Sequence, residues 1–420
     1  RGFIQEVIDR KTKKKLCVLC VLRGELKRKT NYILKEKRNM MNHNMKIHWL
    51  LALPAMLLAV GCGESALPEE GPDEEERVEL QVSPQVALTR SAIQGVNAAT
   101  DGTAMGSIAV YASSATTNNT TNNYGLYTYS GSNWSNSGSD KIYLSAEEAN
   151  IYAHYPAYKP GTGGVLATSG EALKVNGSGQ VTANSTVNIS VFPGTESNEN
   201  SKITAADNAT GDAIVTAPGE VDYMYADQTS TPKASYKKGV SGKDGKVTLS
   251  MKHALAMVSF RVYADHTYKN TGALTKLVLA NKSGTILNSG GTNPTMKISD
   301  GAITPGSSPA AVTYTRGISN YTLQKASADT DAARTTAQNA SKKVSILVLP
   351  ESTQDKTNVE VTLKIDNQDY AVSLGNAATN AWKAGENYLY TVKLSGKELS
   401  ITSVTVAQWT GKTGGSLEIQ

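Results

Sequence analysis

Cysteine is nearly missing from this chain: of 420 residues only Cys17, Cys20 and Cys62 carry a thiol. A disulfide framework, a Cys-ligated metal and a catalytic thiol are therefore excluded from everything after position 62. Histidine is almost as scarce there. His154, His253 and His266 stand at no metal-ligand spacing to one another, and the first two read as packed or hydrogen-bonded strand residues. No stretch approaches the ~20 apolar residues that a membrane-spanning helix requires. G-x-S-x-G, a phosphate-cradling glycine loop and HExxH are also absent. A carboxylate pair of the glycosidase kind is the one enzymatic arrangement left open. The expectation is a protein that is not an enzyme, with no catalytic residue, no metal and no cofactor.

Helical periodicity is missing as well. Ser145-Ala-Glu-Glu148 fits a capping box, but alternation follows it at once, so a single turn is expected there. Charge is low, at 19% of residues, and unevenly spread. Residues 1–40 hold thirteen Lys and Arg against four acids, a local net of +9, so the remainder carries −4 of the chain's +5. A nucleic-acid partner is thereby excluded for the part that folds.

The opening segments read as export signals. Residues 1–40 lie upstream of credible starts at Met40, Met41 and Met45, as an untranslated or wrongly assigned leader, and no second pair or histidine completes a zinc site with Cys17 and Cys20. Residues 41–61 have the layout of a secretory signal, with Lys46 and His48 before the apolar run Trp49–Val60. Ala59-Val60-Gly61-Cys62 resembles a bacterial lipobox, with Ala59 where leucine is usual and Leu58 one place earlier. That resemblance implies cleavage between Gly61 and Cys62 and a lipid on Cys62, an anchor in the outer membrane with several acyl chains. The alternative is an ordinary signal peptide with an incidental cysteine. Residues 63–76 (GESALPEEGPDEEE) are acidic and form an extended tether. Such a run resembles the surface-export signals of Bacteroides-type lipoproteins; a plain solubilising linker is the other reading.

Val78, Leu80, Val82, Val86 and Leu88 then alternate in one register, with Pro84 in the missing place. This is a half-buried strand, and proline assigns it to an edge. It ends at Arg90, before Ser91. Either the arginine is incidental, or an arginine-specific protease cuts there and the strand is removable. Residues 62–90 are thus a tether plus first strand.

From Ser91 onward short apolar alternations are separated by Gly, Asn, Asp, Ser and Thr. Ile108–Tyr111, Tyr124–Tyr129, Ile142–Leu144, Ile151–Tyr155, Val187–Phe192 and Tyr223–Tyr225 are predicted strands. Apolar content drops over Thr231–Lys246, which sets a boundary between an N-terminal sandwich at 91–235 and a C-terminal one at 236–420. The second half predicts strands at Val247–Met251, Met257–Tyr263, Leu274–Ala280, Val344–Leu349, Val359–Ile365, Tyr370–Leu374 and Tyr388–Leu394. Ile365–Tyr370 reads as a hairpin connection, and Val344–Leu349, apolar at nearly every place, as a strand covered on both sides. The fold class is all-β. Tyr124, Tyr127, Tyr129 and Trp134 form either a glycan-binding platform or half-buried strand faces. At the C-terminus Leu399 and Ile401 alternate, the phase shifts, and Val404, Val406 and Trp409 continue. This is either a last core strand or a donor strand inserted into a neighbouring subunit.

Trp382-Lys-Ala-Gly385-Glu-Asn-Tyr388-Leu-Tyr390-Thr-Val392, followed by Val404-Thr-Val406-Ala-Gln-Trp409, resembles the C-terminal signature of the fimbrillin family, the type V pilins and related lipoproteins of Bacteroides-like bacteria. Tyr152-Ala-His154-Tyr155-Pro156, Asp222–Ala226, Leu249–Leu255 and Val348-Leu349-Pro350 are similar to further segments of it. The resemblance implies two tandem transthyretin-like Greek-key β-sandwich domains and export as a lipoprotein. It also implies removal of the first strand by an arginine-specific protease at Arg90 and filling of the vacated groove by a strand from the next subunit. The function expected is a structural pilus subunit at the cell outer membrane, supporting adhesion. Its partners would be other pilus subunits, the protease, membrane lipid through Cys62 before processing, and host or bacterial surface ligands. The alternative is a surface lipoprotein serving as pilus anchor or glycan-binding module.

Overall fold

The computed structural model describes residues 77–86, 105–114, 123–159, 172–204 and 216–408, apart from positions 132, 137, 139, 140, 174, 176–180, 230 and 397. Every described residue lies in one compact unit, Asp73–Gln420. The leader, signal segment, acidic run, Gly61, Cys62, Arg90, Ser91 and Trp409 lie outside the described residues.

Alternating patterns become strands throughout. In chain order they are β1 (Val78–Glu79), β2 (Gln81–Val86), β3 (Ser107–Ser114), β4 (Tyr124–Tyr129), β5 (Trp134–Ser135), β6 (Tyr143–Leu144), β7 (Ala149–Tyr155), β8 (Thr186–Asn188), β9 (Lys202–Thr204), β10 (Met224–Ala226) and β11 (Lys233–Ala234). The series continues with β12 (Lys246–His253), β13 (Ala256–Ala264), β14 (Ala273–Asn281), β15 (Thr295–Lys297), β16 (Ile303–Thr304), β17 (Tyr314–Thr322) and β18 (Gln324–Lys325). After helix α1 (Asp331–Ala340) come β19 (Lys343–Val348), β20 (Asp355–Ile365), β21 (Gln368–Asn376), β22 (Glu386–Ser395) and β23 (Glu398–Gln408).

Eight strands form one sheet in the order β2-β12-β10-β7-β3-β4-β5, with β11 also on β7. Its ends β2 and β5 come together, so the sheet is nearly closed, like a barrel. Residues at alternate places, among them Val82, Ile108, Val110, Ile151, Leu249 and Met251, fill its interior. Two five-stranded sheets make a sandwich: β13 carries β22 and β23 on one side and β18 and β19 on the other, facing the sheet β21-β20-β14-β17-β9. Phe260, Leu277, Tyr314, Val361 and Tyr390 lie in the core between them.

β19 explains its own composition. Val344, Ile346 and Val348 enter the sandwich core, while Leu347 belongs to a further core with Tyr111, Tyr152, Val187, Met257 and Met296. Both faces are covered, as its continuous apolar run predicts. Strands on both sides of residue 235 share the barrel-like sheet, because β12 pairs with β2 and β10. β12 then passes through Ala254 and Leu255 into β13, so one run of backbone serves both the barrel-like sheet and the sandwich.

Three local features test the turn chemistry. The β20–β21 hairpin turns through Asp366 (φ 49°) and Asn367 (φ 64°), the left-handed pair that a two-residue turn demands. The phase shift after Ile401 is a bulge: Thr391 pairs with Ser403 but Val392 with Ile401, leaving Thr402 extra. Helix α1 is a correction to the expectation of no helix. Its only buried residue is Ala337, so no apolar stripe announces it. Alanine content and the cap, where the Thr330 side chain accepts from the Ala333 N–H at 3.2 Å, sustain it instead. Ser145–Glu148, in contrast, is a bend with no helical turn.

Candidate functional site

The first strand is held from two sides. Parallel pairing joins Gln81–Val86 to Lys246–Met251 of β12. On the opposite side Val78 and Glu79 pair with Leu144 and Tyr143 of β6. The Gln81 N–H donates to the Gly245 carbonyl at 2.9 Å, whereas the Leu80 N–H donates to the Ile142 carbonyl at 2.8 Å. Successive backbone groups along a strand face opposite ways, so the Pro84 nitrogen shares the Leu80 direction, away from β12. The donor that proline lacks thus falls on the open edge of the sheet, the placement that blunts lateral pairing.

The apolar face of this strand fills the barrel interior. Leu80, Val82, Pro84 and Val86 are buried while Gln81, Ser83 and Gln85 are exposed. The Tyr127 hydroxyl, from β4, donates to the Leu80 carbonyl at 2.9 Å. Burial, and then the charge of Glu79, push the Tyr127 phenol above its ordinary range. At the strand's start a Cβ on Gly245 would lie 2.5 Å from Val78 Cγ1. Glu79 pairs with Lys141 at 2.7 Å.

The last strand is an edge as well. β23 pairs with β22 from Glu398–Ser395 to Gln408–Glu386 within its own sheet. Leu399 is buried, but Ile401, Val404 and Val406 are half-buried against the sandwich core. In this chain Leu399, Ile401, Val404 and Val406 therefore occupy a hairpin strand of the sandwich.

The sequence motifs meet inside the fold. Trp382 is buried, and its indole N–H donates to the Tyr390 hydroxyl at 3.1 Å, which donates to Asn380 Oδ1 at 3.0 Å. The Tyr388 hydroxyl receives the Lys383 N–H at 2.8 Å and donates to Glu386. Asp222 and His253 meet because β10 and β12 pair, with His253 Nδ1 2.9 Å from Asp222 Oδ1. The aromatic group lies on strand faces: Tyr127 is buried, Tyr124 packs against Tyr111 at 5.1 Å between centroids, and Trp134 packs against the barrel core.

His154 is wholly buried between the Tyr111 hydroxyl, 3.0 Å from Nε2, and the Pro156 carbonyl, 3.1 Å from Nδ1. The Tyr155–Pro156 peptide is cis. Burial pushes the imidazole down to about 4, against the pull of the backbone carbonyls. The unfolded chain takes up this proton near pH 6.5, so between there and pH 4 it binds more protons than the native state. Stability is therefore full above pH 6.5 and falls with acidification, by roughly 3 kcal/mol from this residue once pH 4 is reached. Urea unfolding at pH 7 and pH 4.5, in native chain and His154→Gln, checks it: the variant is expected to lose less stability between the two.

A buried ion pair has no sequence signal beyond its residue types. Arg316 and Glu220, both essentially unexposed, meet at 2.6 Å. Arg316 also donates to the carbonyls of Phe192, Pro193 and Thr315, and Glu220 accepts from the N–H groups of Ala217 and Leu347. Among the described residues no cluster of three or more His, Cys, Asp or Glu is arranged to hold a metal ion.

Residues 96–409 match the family described as Fimbrillin-like, and the chain belongs to that family. No curated protein matches it. Similar solved structures include a fimbrial protein from Bacteroides vulgatus, 15% identical, with 80% of this chain and 100% of that one covered and a TM-score of 0.47. Another is the tip fimbrial protein Mfa3 from Porphyromonas gingivalis with C-terminal truncation, 11% identical, covering 80% and 100%, with a TM-score of 0.39.

Proposed function

We propose that this fimbrillin-like protein is a structural, non-enzymatic subunit of a cell-surface fimbria, exported as a lipoprotein on Cys62, cleaved after Arg90 and polymerised by strand exchange. In this reading the chain is two tandem transthyretin-like Greek-key β-sandwich domains, with β12 at the start of the second completing the barrel-like sheet of the first. One observation carries the proposal: the first strand is a separate edge element whose alternate side chains fill a barrel interior, and Arg90 stands four residues beyond its last described residue, Val86. Removing it uncovers a row of backbone donors and acceptors beside an apolar groove, which a strand from the next subunit satisfies in one step. β23, on an edge and only half-buried beyond Leu399, supplies that strand at the least cost to its own sandwich. Head-to-tail insertion that does not close yields a filament. Loss of the Cys62–Arg90 segment also releases the lipid.

N-terminal sequencing and intact mass of the protein recovered from the cell surface test this. A chain starting at Ser91 with no acyl mass is expected. One starting at acylated Cys62 sinks the polymerised subunit and leaves a membrane-held fimbrial anchor or glycan-binding lipoprotein.

A further inference from the structure

We infer that Tyr127 and Gly245 set the register of whichever strand occupies the first-strand groove, and so select which segment of a partner subunit enters it. The inference rests on the strand-exchange reading for its biological use, though the contacts themselves are present with the chain's own strand in place.

Apolar alternation alone positions a strand poorly, because a shift by two residues restores the same face. Two features narrow that degeneracy. The Leu80 carbonyl points away from β12, as its N–H does, and the Tyr127 hydroxyl reaches it at 2.9 Å from across the sheet. Tyr127 is 1% exposed, so an occupant that offers no carbonyl at this point strands a buried hydroxyl. A shift by one residue turns the carbonyl toward β12 and fails. Shifts by two satisfy Tyr127 again, and of these Gly245 disfavours the one that would bring the charged Glu76 to the place of Val78. Val78 Cγ1 occupies the place where a Cβ on residue 245 would stand, and Gly245 has φ 76°, a conformation that disfavours any side chain. The groove therefore takes a branched aliphatic residue over Gly245 and presents Tyr127 to the carbonyl of the residue two places on. Small apolar side chains follow at the places of Val82, Pro84 and Val86. The occupant is thus an extended segment of defined pattern, not any apolar strand.

Hydrogen exchange on the intact chain tests the register contacts without requiring cleavage. Tyr127→Phe is expected to speed exchange of the amides at 80–83 and 85–86 roughly ten-fold, since the Leu80 carbonyl loses its partner. Amides of β20 and β22 are expected to be unchanged. Gly245→Ala is expected to open the same segment. Unchanged exchange there in Tyr127→Phe overturns the role of Tyr127, and unchanged exchange in Gly245→Ala overturns that of Gly245. A second arm treats native and Tyr127→Phe chains with an arginine-specific protease and offers each a labelled peptide of residues 77–88. Binding to the variant roughly ten-fold weaker supports the inference, and equal binding overturns it. A native chain that keeps its own strand after protease treatment instead counts against the strand-removal reading. The exchange measurement then decides the role of Tyr127 by itself.

Discussion

Replacing Arg316 by methionine is expected to lower the unfolding free energy by about 3–5 kcal/mol, the range found when one partner of a buried ion pair is removed. The guanidinium sits between Phe192 and Tyr314, its centre 5.4 Å and 5.9 Å from the ring centroids, and ties three carbonyls to the Glu220 carboxylate. Methionine matches the length and apolar stem but supplies none of these donors. Glu220 would then be a buried charge held only by two backbone N–H groups, those of Ala217 and Leu347. The effect reaches across the fold, because the pair links the segment before β9 to β17 and to β19. A second substitution separates charge from contact. Adding Glu220→Gln to Arg316→Met removes the unpaired charge and is expected to restore about 1–2 kcal/mol, since the amide oxygen still accepts a backbone N–H. Urea titrations of the three proteins measure both steps. A single-variant loss below about 1 kcal/mol would mean that water reaches the site and that the pair is not the tie described.

That pair marks where sequence reading ends. Periodicity carries the strands because burial of one face imposes it locally: Gln81–Val86, Lys246–His253 and Val359–Ile365 are legible residue by residue. The bulge at Thr402 is legible too, as a phase shift between Ile401 and Val404. Long-range partners leave no such mark. Nothing near Glu220 announces Arg316, 96 residues away, and nothing near Tyr127 announces the carbonyl of Leu80, 47 residues earlier. The sheet membership of β12 is hidden for the same reason. Low apolar content at 231–246 suggests a boundary, yet this stretch is an excursion closed by the Tyr236–Asp244 bridge, with β11 on β7. Helix α1 leaves no periodic mark because a capped, alanine-rich surface helix needs no apolar stripe. Of the candidate site, the alternating face and the edge proline of the first strand were legible, while the groove that receives them was not.

Trp382→Ala is expected to cost about 3–5 kcal/mol, the range for deleting a large buried aromatic. The ring fills the sandwich core at 1% exposure, and its main chain exchanges two hydrogen bonds with Glu351, each 2.7 Å. The buried Lys356 lies over the ring, its ammonium 4.5 Å from the centroid. Burial pushes that amine down to about 8, with Glu351 and Asp355 pulling it back up. Alanine would remove the packing, the cation–π partner and the N–H that holds the Tyr390 hydroxyl, while leaving the lysine in place. Trp382→Phe keeps a ring beneath Lys356 and loses the donor, so it is expected to cost less, about 1–2 kcal/mol. Denaturant titration of the two variants ranks them. The order also decides what the C-terminal signature is for. Among the described residues the side chains of Trp382, Tyr388 and Tyr390 bond only within residues 380–390, to Asn380, Lys383, Glu386 and one another, and β23 bonds to them through the backbone ladder alone, so the signature is expected to act on folding of the sandwich. A Trp382→Ala chain that keeps its stability to within about 1 kcal/mol would refute this, because a buried tryptophan cannot be both central to the core and dispensable to it.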